Sequence, residues 1–263
     1  MPEGHTIHRK VVDQAPSFVG EQLRAVSPNH RFDSGARAID GRTLQRMDAW
    51  GKHLFYFFEG RRVLHVHLGM DGRFRHHRLP ADAVPPPRRT TWLRVTAPQM
   101  TFDLSAPKVC EVVDEITQRR IVDRLGPDPI RQDDDGGVFT GLSGRTDSIG
   151  AALLDQSLVS GIGNVYRAEI LYALGIHPER PANQVTEDEW AAIWATAVRM
   201  LRAGVSDRGQ IITVDRRDFK VRDRRETYVY GQRMCAHCGS SIHKWDLDGR
   251  DAWACPTCQS FDR

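Results

Sequence analysis

The chain has 263 residues, 40% hydrophobic and 27% charged, which is a globular composition with room for one to three domains. Its formal net charge of +3 permits a polyanionic partner without requiring one. No apolar run approaches the roughly 20 residues of a membrane span, and no signal-peptide core is present, so we expect a cytoplasmic protein with no membrane partner.

The first half of the chain predicts strands after a short helix over residues 3–14. The strand candidates are short apolar or alternating runs bounded by turn residues, at 54–58, 63–68, 91–96 and 101–104. In the second run, Leu64, Val66 and Leu68 fall on one face. The prolines within residues 80–89 predict an exposed loop. Together these patterns predict a β-sandwich with an N-terminal helix.

Beyond residues 126–129 the apolar residues recur at the spacing of a helix. Thr186-x-x-Glu189 is a capping box. The apolar residues that follow it at helical spacing predict a core-facing helix: Trp190, Ile193, Trp194, Ala197, Val198 and Leu201. An apolar helix is predicted to end at the glycines of residues 161–163, and a new one to begin near Asn164. A helix start of this kind can bind phosphate, although most such glycine turns only connect helices.

A basic stretch occupies residues 216–225, with six Arg or Lys residues, two Asp and one Phe. It fits a solvated loop and a phosphate-contacting segment equally well. The sequence alone leaves both interpretations open.

The cysteines give the most specific chemical pattern. Cys235-x-x-Cys238 is followed after sixteen residues by Cys255-x-x-Cys258, which is the spacing of a tetrahedral metal site. Because all four ligands are Cys, no position stays open for water, and one structural Zn²⁺ is expected, worth about 10–16 kcal/mol in a small finger. Two disulfides are the alternative, which the low cysteine content elsewhere disfavours. The remaining Cys110 is predicted to be buried.

The N-terminus contains a candidate nucleophile. Pro2 follows Met1, and removal of Met1 would free a secondary amine. A terminal amine has a pKa of about 8 against about 10.4 for Lys, so more of it is unprotonated at neutral pH and able to attack an electrophilic carbon. Glu3 would then exchange protons beside it. An inert terminus is the alternative, and retention of Met1 would leave only an amide nitrogen.

These features occur together in an order that resembles the bacterial formamidopyrimidine-DNA glycosylase and endonuclease VIII family. The resemblance runs from Met-Pro-Glu-Gly at the start, through Trp-Gly-Lys-His-Leu and Gly-Ile-Gly-Asn, to Cys-Pro-x-Cys-Gln near the end. It implies an α+β fold with a helix–two-turns–helix motif and a Cys₄ zinc ribbon. The implied domains are a catalytic β-sandwich at 1–116, a helical DNA-binding domain at 117–225 and a zinc finger at 226–260.

The resemblance also implies catalytic roles. Pro2 matches the family's Schiff-base nucleophile, which attacks the sugar C1′ of a damaged nucleotide. Glu3 matches the acid that assists sugar-ring opening, and Lys52 matches a lysine on a β-turn that serves base release and β-elimination. Arg250 matches the finger arginine that reaches the phosphates beside the lesion, and its planar fork suits bidentate contact.

Three further residues match DNA-binding positions of the family. Met70 aligns with the apolar residue that fills the gap left by the extruded nucleotide. Arg124 matches an arginine that contacts the DNA backbone. Asn164 matches the phosphate-binding asparagine of the helix–two-turns–helix motif.

The function implied is a monomeric, nucleoid-associated DNA glycosylase and abasic-site lyase of base excision repair, acting on a flipped-out nucleotide by β,δ-elimination. Thr6 departs from the family, which often has Glu at that position, and the segment Ala106–Cys110 lacks the arginine and phenylalanine of the family's 8-oxoguanine enzymes. The loss of that pair and the Met-Pro-Glu-Gly start favour oxidised pyrimidines as the substrates, as in the actinobacterial-type endonuclease VIII, although the Leu-Gly-Met context of Met70 points the other way. The alternatives are an 8-oxoguanine or formamidopyrimidine glycosylase, a non-catalytic zinc-ribbon DNA-binding protein, and a zinc hydrolase, which the closed Cys₄ shell disfavours.

Overall fold

A computed structural model describes residues 2–78, 83–134, 136–211, 213–214 and 226–261. The chain forms two compact units, Met1–Arg124 and Leu125–Arg263. Met1 and the basic stretch 216–225 lie outside the described residues. Within the described ranges, no helix is both long and apolar enough to cross a membrane.

The first unit is an antiparallel β-sandwich. Its elements are α1 (Gly4–Phe18), β1 (Gln22–Val26), α2 (Asp33–Ile39), β2 (Arg42–Trp50), β3 (His53–Phe58), β4 (Arg62–His67), β5 (Arg73–His77), β6 (Thr91–Thr96), β7 (Thr101–Ser105), β8 (Val109–Asp114) and α3 (Glu115–Val122). The strands pair in the order β5-β7-β6-β1-β2-β3-β4-β8. β1 pairs with both β6 and β2 and so joins the leaf β5-β7-β6-β1 to the leaf β2-β3-β4-β8.

One apolar core fills the space between these leaves. Leu23 and Phe102 enter it from one leaf, and Leu64, Val66 and Leu68 enter it from the other, as their alternation predicts. α1 and α2 add apolar side chains to the same cluster. The predicted N-terminal helix and sandwich are therefore confirmed.

The β3–β4 hairpin is buried on both faces. Phe55, Phe57 and Val63 point away from the main core and pack with Ile121 and Val122 of α3. Burial on two faces explains why residues 54–58 read as a continuous apolar run instead of an alternating one. Cys110 on β8 is half-buried against the main core, and burial raises the pKa of its thiol to about 12.

The second unit is helical with a terminal hairpin. Its elements are α4 (Gly137–Ser143), α5 (Ile149–Ala152), α6 (Asn164–Ala173), a short 3₁₀ turn (Ala182–Gln184), α7 (Glu187–Ser206), β9 (His243–Leu247) and β10 (Arg250–Ala254). The predicted capping box begins α7, because Thr186 Oγ1 accepts from Glu189 N at 3.2 Å and Thr186 N donates to Glu189 Oε2 at 2.9 Å. Trp190 and Ile193 of α7 are buried against α6 side chains such as Ile170.

The combination of a β-sandwich, a helical unit and a terminal cysteine-bearing hairpin confirms the predicted α+β class. The finer division into domains ending at residues 116, 225 and 260 stays a prediction.

Candidate functional site

Pro2 and Glu3 lie at the start of α1. Glu3 is the N-cap residue, and its carbonyl oxygen accepts from Thr6 N at 3.0 Å and Ile7 N at 3.3 Å. Glu3 is fully buried, whereas Pro2 is half-buried. A carboxylate at this position is favoured by the partial positive charge of the helix N-terminus. α1 therefore fixes the backbone of the predicted nucleophile and its acid.

Lys52 lies on the two-residue turn between β2 and β3. Trp50 and His53 form the closing pair of this hairpin. Gly51 has a φ of 54°, the left-handed conformation that such tight hairpins require and that glycine adopts without strain. α1 packs against both β2 and β3, so the helix that begins after Glu3 and the turn that carries Lys52 belong to one packed assembly.

Met70 lies on the turn between β4 and β5 and is 65% exposed, the exposure expected of an apolar wedge. The β7–β8 loop packs against this turn, because Lys108 N donates to Leu68 O at 3.3 Å. A Cβ on Gly69 would lie 2.7 Å from Lys108 Cβ, so only glycine fits there. The turn and the loop are thus held side by side.

Lys52 and Lys108 both place a positive charge near His67. Burial first, and then Lys108 and Lys52, lower the pKa of His67 to about 4. The Lys52 turn and the β7–β8 loop therefore lie close enough to act on the same imidazole. A surface that carries two cations beside an exposed apolar turn suits a bent, negatively charged backbone.

In the second unit, Asn164 begins α6 and holds the terminal hairpin. Its Nδ2 donates to Asp251 O at 2.9 Å, and Arg167 Nη2, one turn later, donates to the same oxygen at 2.6 Å. The Oδ1 atom of Asn164 is buried and has no hydrogen-bond partner among the described residues. The predicted phosphate ligand thus uses one donor to fix β10 immediately after Arg250.

Arg250 is exposed at the start of β10. The hairpin turn before it contains Asp248 at φ 52° and Gly249 at φ 75°. Two successive left-handed residues make the tight type I′ turn typical of Asp-Gly hairpins. Arg250 therefore projects from the end of a short stiff hairpin that Asn164 and Arg167 anchor to α6.

The four cysteines Cys235, Cys238, Cys255 and Cys258 have their sulfur atoms within 4.8 Å of one another. The sulfurs of Cys235 and Cys258 are 3.8 Å apart, and those of Cys238 and Cys255 are 3.4 Å apart. Ligands at about 2.3 Å from a tetrahedral zinc are separated by about 3.8 Å. The donor set and its geometry thus fit a closed structural Zn²⁺ site.

Groups around the cysteines tie this cluster to α6. The Tyr172 hydroxyl lies 3.3 Å from Cys235 Sγ, where it can donate to a thiolate. Gln259, fully buried, accepts from Cys255 N at 3.0 Å and donates to Ile176 O at 2.8 Å. Such outer contacts orient the thiolates before an ion is bound.

Glu169 is a buried carboxylate on α6 that sequence reasoning missed. Its oxygens accept from Thr213 Oγ1 at 2.5 Å, Tyr228 N at 2.7 Å, and Val229 N and Tyr230 N at 2.9 Å. These contacts fix the segment that leads into the finger. The signal was available, because Arg167 and Glu169 stand in an otherwise apolar helix, and buried charges there require partners.

The predicted site residues thus fall into separate groups. Pro2, Glu3, Lys52 and Met70 belong to the first unit, where Arg124 is exposed at its last position. Asn164, Arg250 and the four cysteines form one connected structure in the second unit.

Known proteins match this chain over nearly its whole length. Residues 1–120 match the formamidopyrimidine-DNA glycosylase N-terminal domain, and residues 125–216 match the H2TH domain of the same glycosylases. Endonuclease 8 1 of Mycobacterium tuberculosis is 39% identical over 269 residues, covering 99% of this chain and 100% of that protein. Formamidopyrimidine-DNA glycosylase of Desulfitobacterium hafniense is 32% identical over 276 residues, covering 98% of each.

The fold also matches solved structures. Lactococcus lactis Fpg in complex with an abasic site containing DNA superposes with a TM-score of 0.82 at 24% identity, covering 98% of this chain and 99% of that one. The complex of the same enzyme with N7-benzyl-Fapy-dG containing DNA gives a TM-score of 0.83 at 24% identity and covers 98% and 100%. At this identity the similarity concerns the fold alone.

Proposed function

The chain belongs to the formamidopyrimidine-DNA glycosylase and endonuclease VIII family, and from that premise we propose that it releases oxidised pyrimidines from DNA through an imine at Pro2 and then cleaves the strand. Membership of this family makes the protein a DNA repair glycosylase with abasic-site lyase activity. The observation that carries the finer proposal is the association in one unit of Pro2 and Glu3, which open α1, with the Lys52 turn of the strands on which α1 packs.

The first step is extrusion of the damaged nucleotide. A stacked base shields its C1′ from an enzyme amine, so the nucleotide must leave the duplex. Met70, exposed on its turn, occupies the vacated space as an apolar wedge. Lys52, Arg124, Asn164 and Arg250 hold phosphates, which fixes position without reading sequence.

The covalent step uses the secondary amine of Pro2 after removal of Met1. Its nitrogen lone pair forms a bond to C1′ as the base leaves with the electrons of its own bond to C1′ and takes up a proton. Glu3 transfers the proton lost by the amine to O4′, so that the C1′–O4′ bond breaks and the sugar ring opens. The resulting iminium acidifies C2′–H. Loss of that proton expels the 3′ phosphate, and loss of the C4′ proton then expels the 5′ phosphate, which completes β,δ-elimination.

The cysteine cluster takes no part in this chemistry. A Zn²⁺ ion would be held by Cys235, Cys238, Cys255 and Cys258, which leave no ligand position for water. Its contribution would be to fold the finger, so that Arg250 stands at the end of a short hairpin.

Two observations favour pyrimidine lesions. The mycobacterial relative named endonuclease 8 1 is 39% identical, against 32% for the formamidopyrimidine-DNA glycosylase of Desulfitobacterium hafniense. The β7–β8 loop reads Ala106-Pro107-Lys108, without the arginine and phenylalanine of the 8-oxoguanine enzymes. The second candidate is an 8-oxoguanine or formamidopyrimidine glycosylase of the same family.

The test is single-turnover cleavage of matched duplexes that carry thymine glycol, 5-hydroxycytosine, dihydrouracil, 8-oxoguanine or an abasic site. We expect the pyrimidine lesions to react at least about tenfold faster than 8-oxoguanine, a difference of about 1.4 kcal/mol in barrier. Lys52→Ala should reduce the rate on every lesion, whereas Arg119→Ala, which removes an exposed cation from α3, should not. Faster release of 8-oxoguanine would overturn the substrate assignment in favour of the second candidate.

A further inference from the structure

A chain of polar side chains crosses strands β3, β4 and β8 directly behind the Lys52 turn. His53 Nδ1 lies 2.8 Å from His65 Nε2, and His65 Nδ1 lies 2.9 Å from Glu111 Oε1. The strand register makes this possible, since His65 is the cross-strand partner of Glu111 and His53 that of His67. The middle of the chain is dry, because His65 is only 3% exposed, whereas the Glu111 side chain is half exposed.

The hydrogen bonds of the chain settle the position of each proton. An ionised Glu111 only accepts, so His65 must carry its proton on Nδ1. Its Nε2 is then an acceptor, which requires His53 to carry its proton on Nδ1. His53 is therefore held in one tautomer, with the lone pair on Nε2, by a carboxylate two side chains away.

The surroundings keep His53 neutral. Burial, the largest cause, acts together with His65, His67, Lys52 and Lys108 to lower the pKa of His53 to about 3. These four groups are the charged or titratable neighbours that face it from β4, the β2–β3 turn and the β7–β8 loop. His53 thus adds no positive charge beside Lys52 and Lys108 at neutral pH.

We propose that Glu111 and His65 hold His53, and that His53 in turn is a positioning residue for Lys52, the adjacent residue on the two-residue turn. The proposal rests on the function proposed above, in which Lys52 contacts the reacting nucleotide. Lys52 and His53 share a peptide bond, and His53 forms the closing pair of the two-residue turn with Trp50, so the orientation in which His53 is held sets the backbone from which the Lys52 side chain projects. A small misplacement of a reacting group can cost up to about 100-fold in rate.

The hydrogen bonds among these side chains also explain why imidazoles lie on a buried apolar face, where polar groups are costly. His53 and His65, with His67 beside them, occupy a face on which Phe55, Phe57 and Val63 are buried, where apolar residues would pack without any need for partners. Placing histidines there fixes one orientation at the start of β3, whereas an apolar side chain at residue 53 would have no directional contact. We attribute this fixed orientation of His53 to the need to position Lys52, the adjacent residue on the turn.

The test compares two substitutions at His53. His53→Asn places an amide nitrogen near the place of Nδ1 and can still donate to His65, whereas His53→Leu fills the space without a donor. On duplex with an abasic site we expect His53→Leu to lower kcat about tenfold while KM changes less than about twofold, and His53→Asn to stay within about threefold of the unsubstituted protein. Glu111→Gln, which can donate as well as accept, should fall between them.

Imidazole ¹⁵N NMR supplies an independent readout. The unsubstituted protein should show His53 neutral and protonated on Nδ1 from about pH 8 to about pH 5, and Glu111→Gln should give a mixture of tautomers. Equal rates for His53→Leu and His53→Asn, or losses confined to KM or to thermal stability, would overturn the positioning role. An unsubstituted protein inert on every lesion would overturn the proposed function and this role with it, whereas an active protein with unaffected variants would overturn the role alone.

Discussion

Glu169→Gln should loosen the segment that leads into the zinc finger. The carboxylate is buried on α6 and accepts four hydrogen bonds, two on each oxygen. Thr213 Oγ1 and Tyr228 N share Oε2, whereas Val229 N and Tyr230 N share Oε1. A carboxamide keeps one oxygen, so its NH₂ group must face one of these donor pairs.

The expected loss of stability depends on which pair of donors loses its acceptor oxygen. Thr213 can redirect its hydroxyl to Glu226 O, which lies 3.2 Å away, so the favoured orientation turns the amide nitrogen toward Thr213 and Tyr228. That leaves Tyr228 N without its acceptor, at about 1–3 kcal/mol, and removes the charge assistance from two further hydrogen bonds, at about 1 kcal/mol each. The total is about 3–5 kcal/mol, a large part of the stability of an ordinary domain.

Amide hydrogen exchange measures this loss locally. In Glu169→Gln, the amides of residues 228–230 should exchange about 100- to 4000-fold faster than in the unsubstituted protein, since each factor of ten corresponds to about 1.4 kcal/mol. Thr213→Val, which removes one donor and leaves the carboxylate, should change the rate less than about tenfold. Less than about fivefold acceleration in Glu169→Gln would refute the claim that this carboxylate fixes the segment.

Three further outcomes are expected. Gly69→Ala should cost about 1–3 kcal/mol of stability, because φ is +67° and the new Cβ would meet the β7–β8 loop, whereas Gly144→Ala, at φ −90° and in open space, should change the unfolding free energy by less than about 0.5 kcal/mol. Cys255→Ser should lose bound zinc and duplex affinity together, and Cys110→Ser should lose neither, as metal analysis and binding titration would record; tight binding without metal would contradict the role of the finger. Burial would raise the pKa of Asp103, but hydrogen bonds from Arg94 and His77 bring the pKa below its usual value. The stability that ionised Asp103 adds to the fold is present above about pH 4 and is lost as pH falls through the lowered pKa. Asp103→Asn should therefore make the unfolding free energy fall less steeply in acid, and an unchanged fall would contradict the assignment.

Features governed by local spacing were predictable from the sequence. The capping box of Thr186 and Glu189, the alternation of Leu64, Val66 and Leu68, and the two C-x-x-C pairs depend on residues a few positions apart. Each reports a helix start, a strand face or a metal turn directly. The resemblance to a family added the roles of residues that no local pattern singles out.

Features that depend on long-range register were not predictable. His65 can link His53 to Glu111 only because β3, β4 and β8 pair in one particular register. Asn164 contacts the backbone of Asp251, 87 residues away, through the docking of a hairpin on α6. A single sequence carries no signal for such distances, and the buried charge of Glu169 indicates only that a partner exists.

The central claim is that the amine of Pro2 performs the covalent step. Incubation with an abasic-site duplex and borohydride should trap a protein–DNA adduct, and peptide mapping by mass spectrometry should place the attached sugar on the nitrogen of Pro2, with Met1 absent. Pro2→Gly should give much less adduct under the same conditions. Attachment at a lysine such as Lys52, or strand cleavage by a protein that retains Met1, would contradict the account.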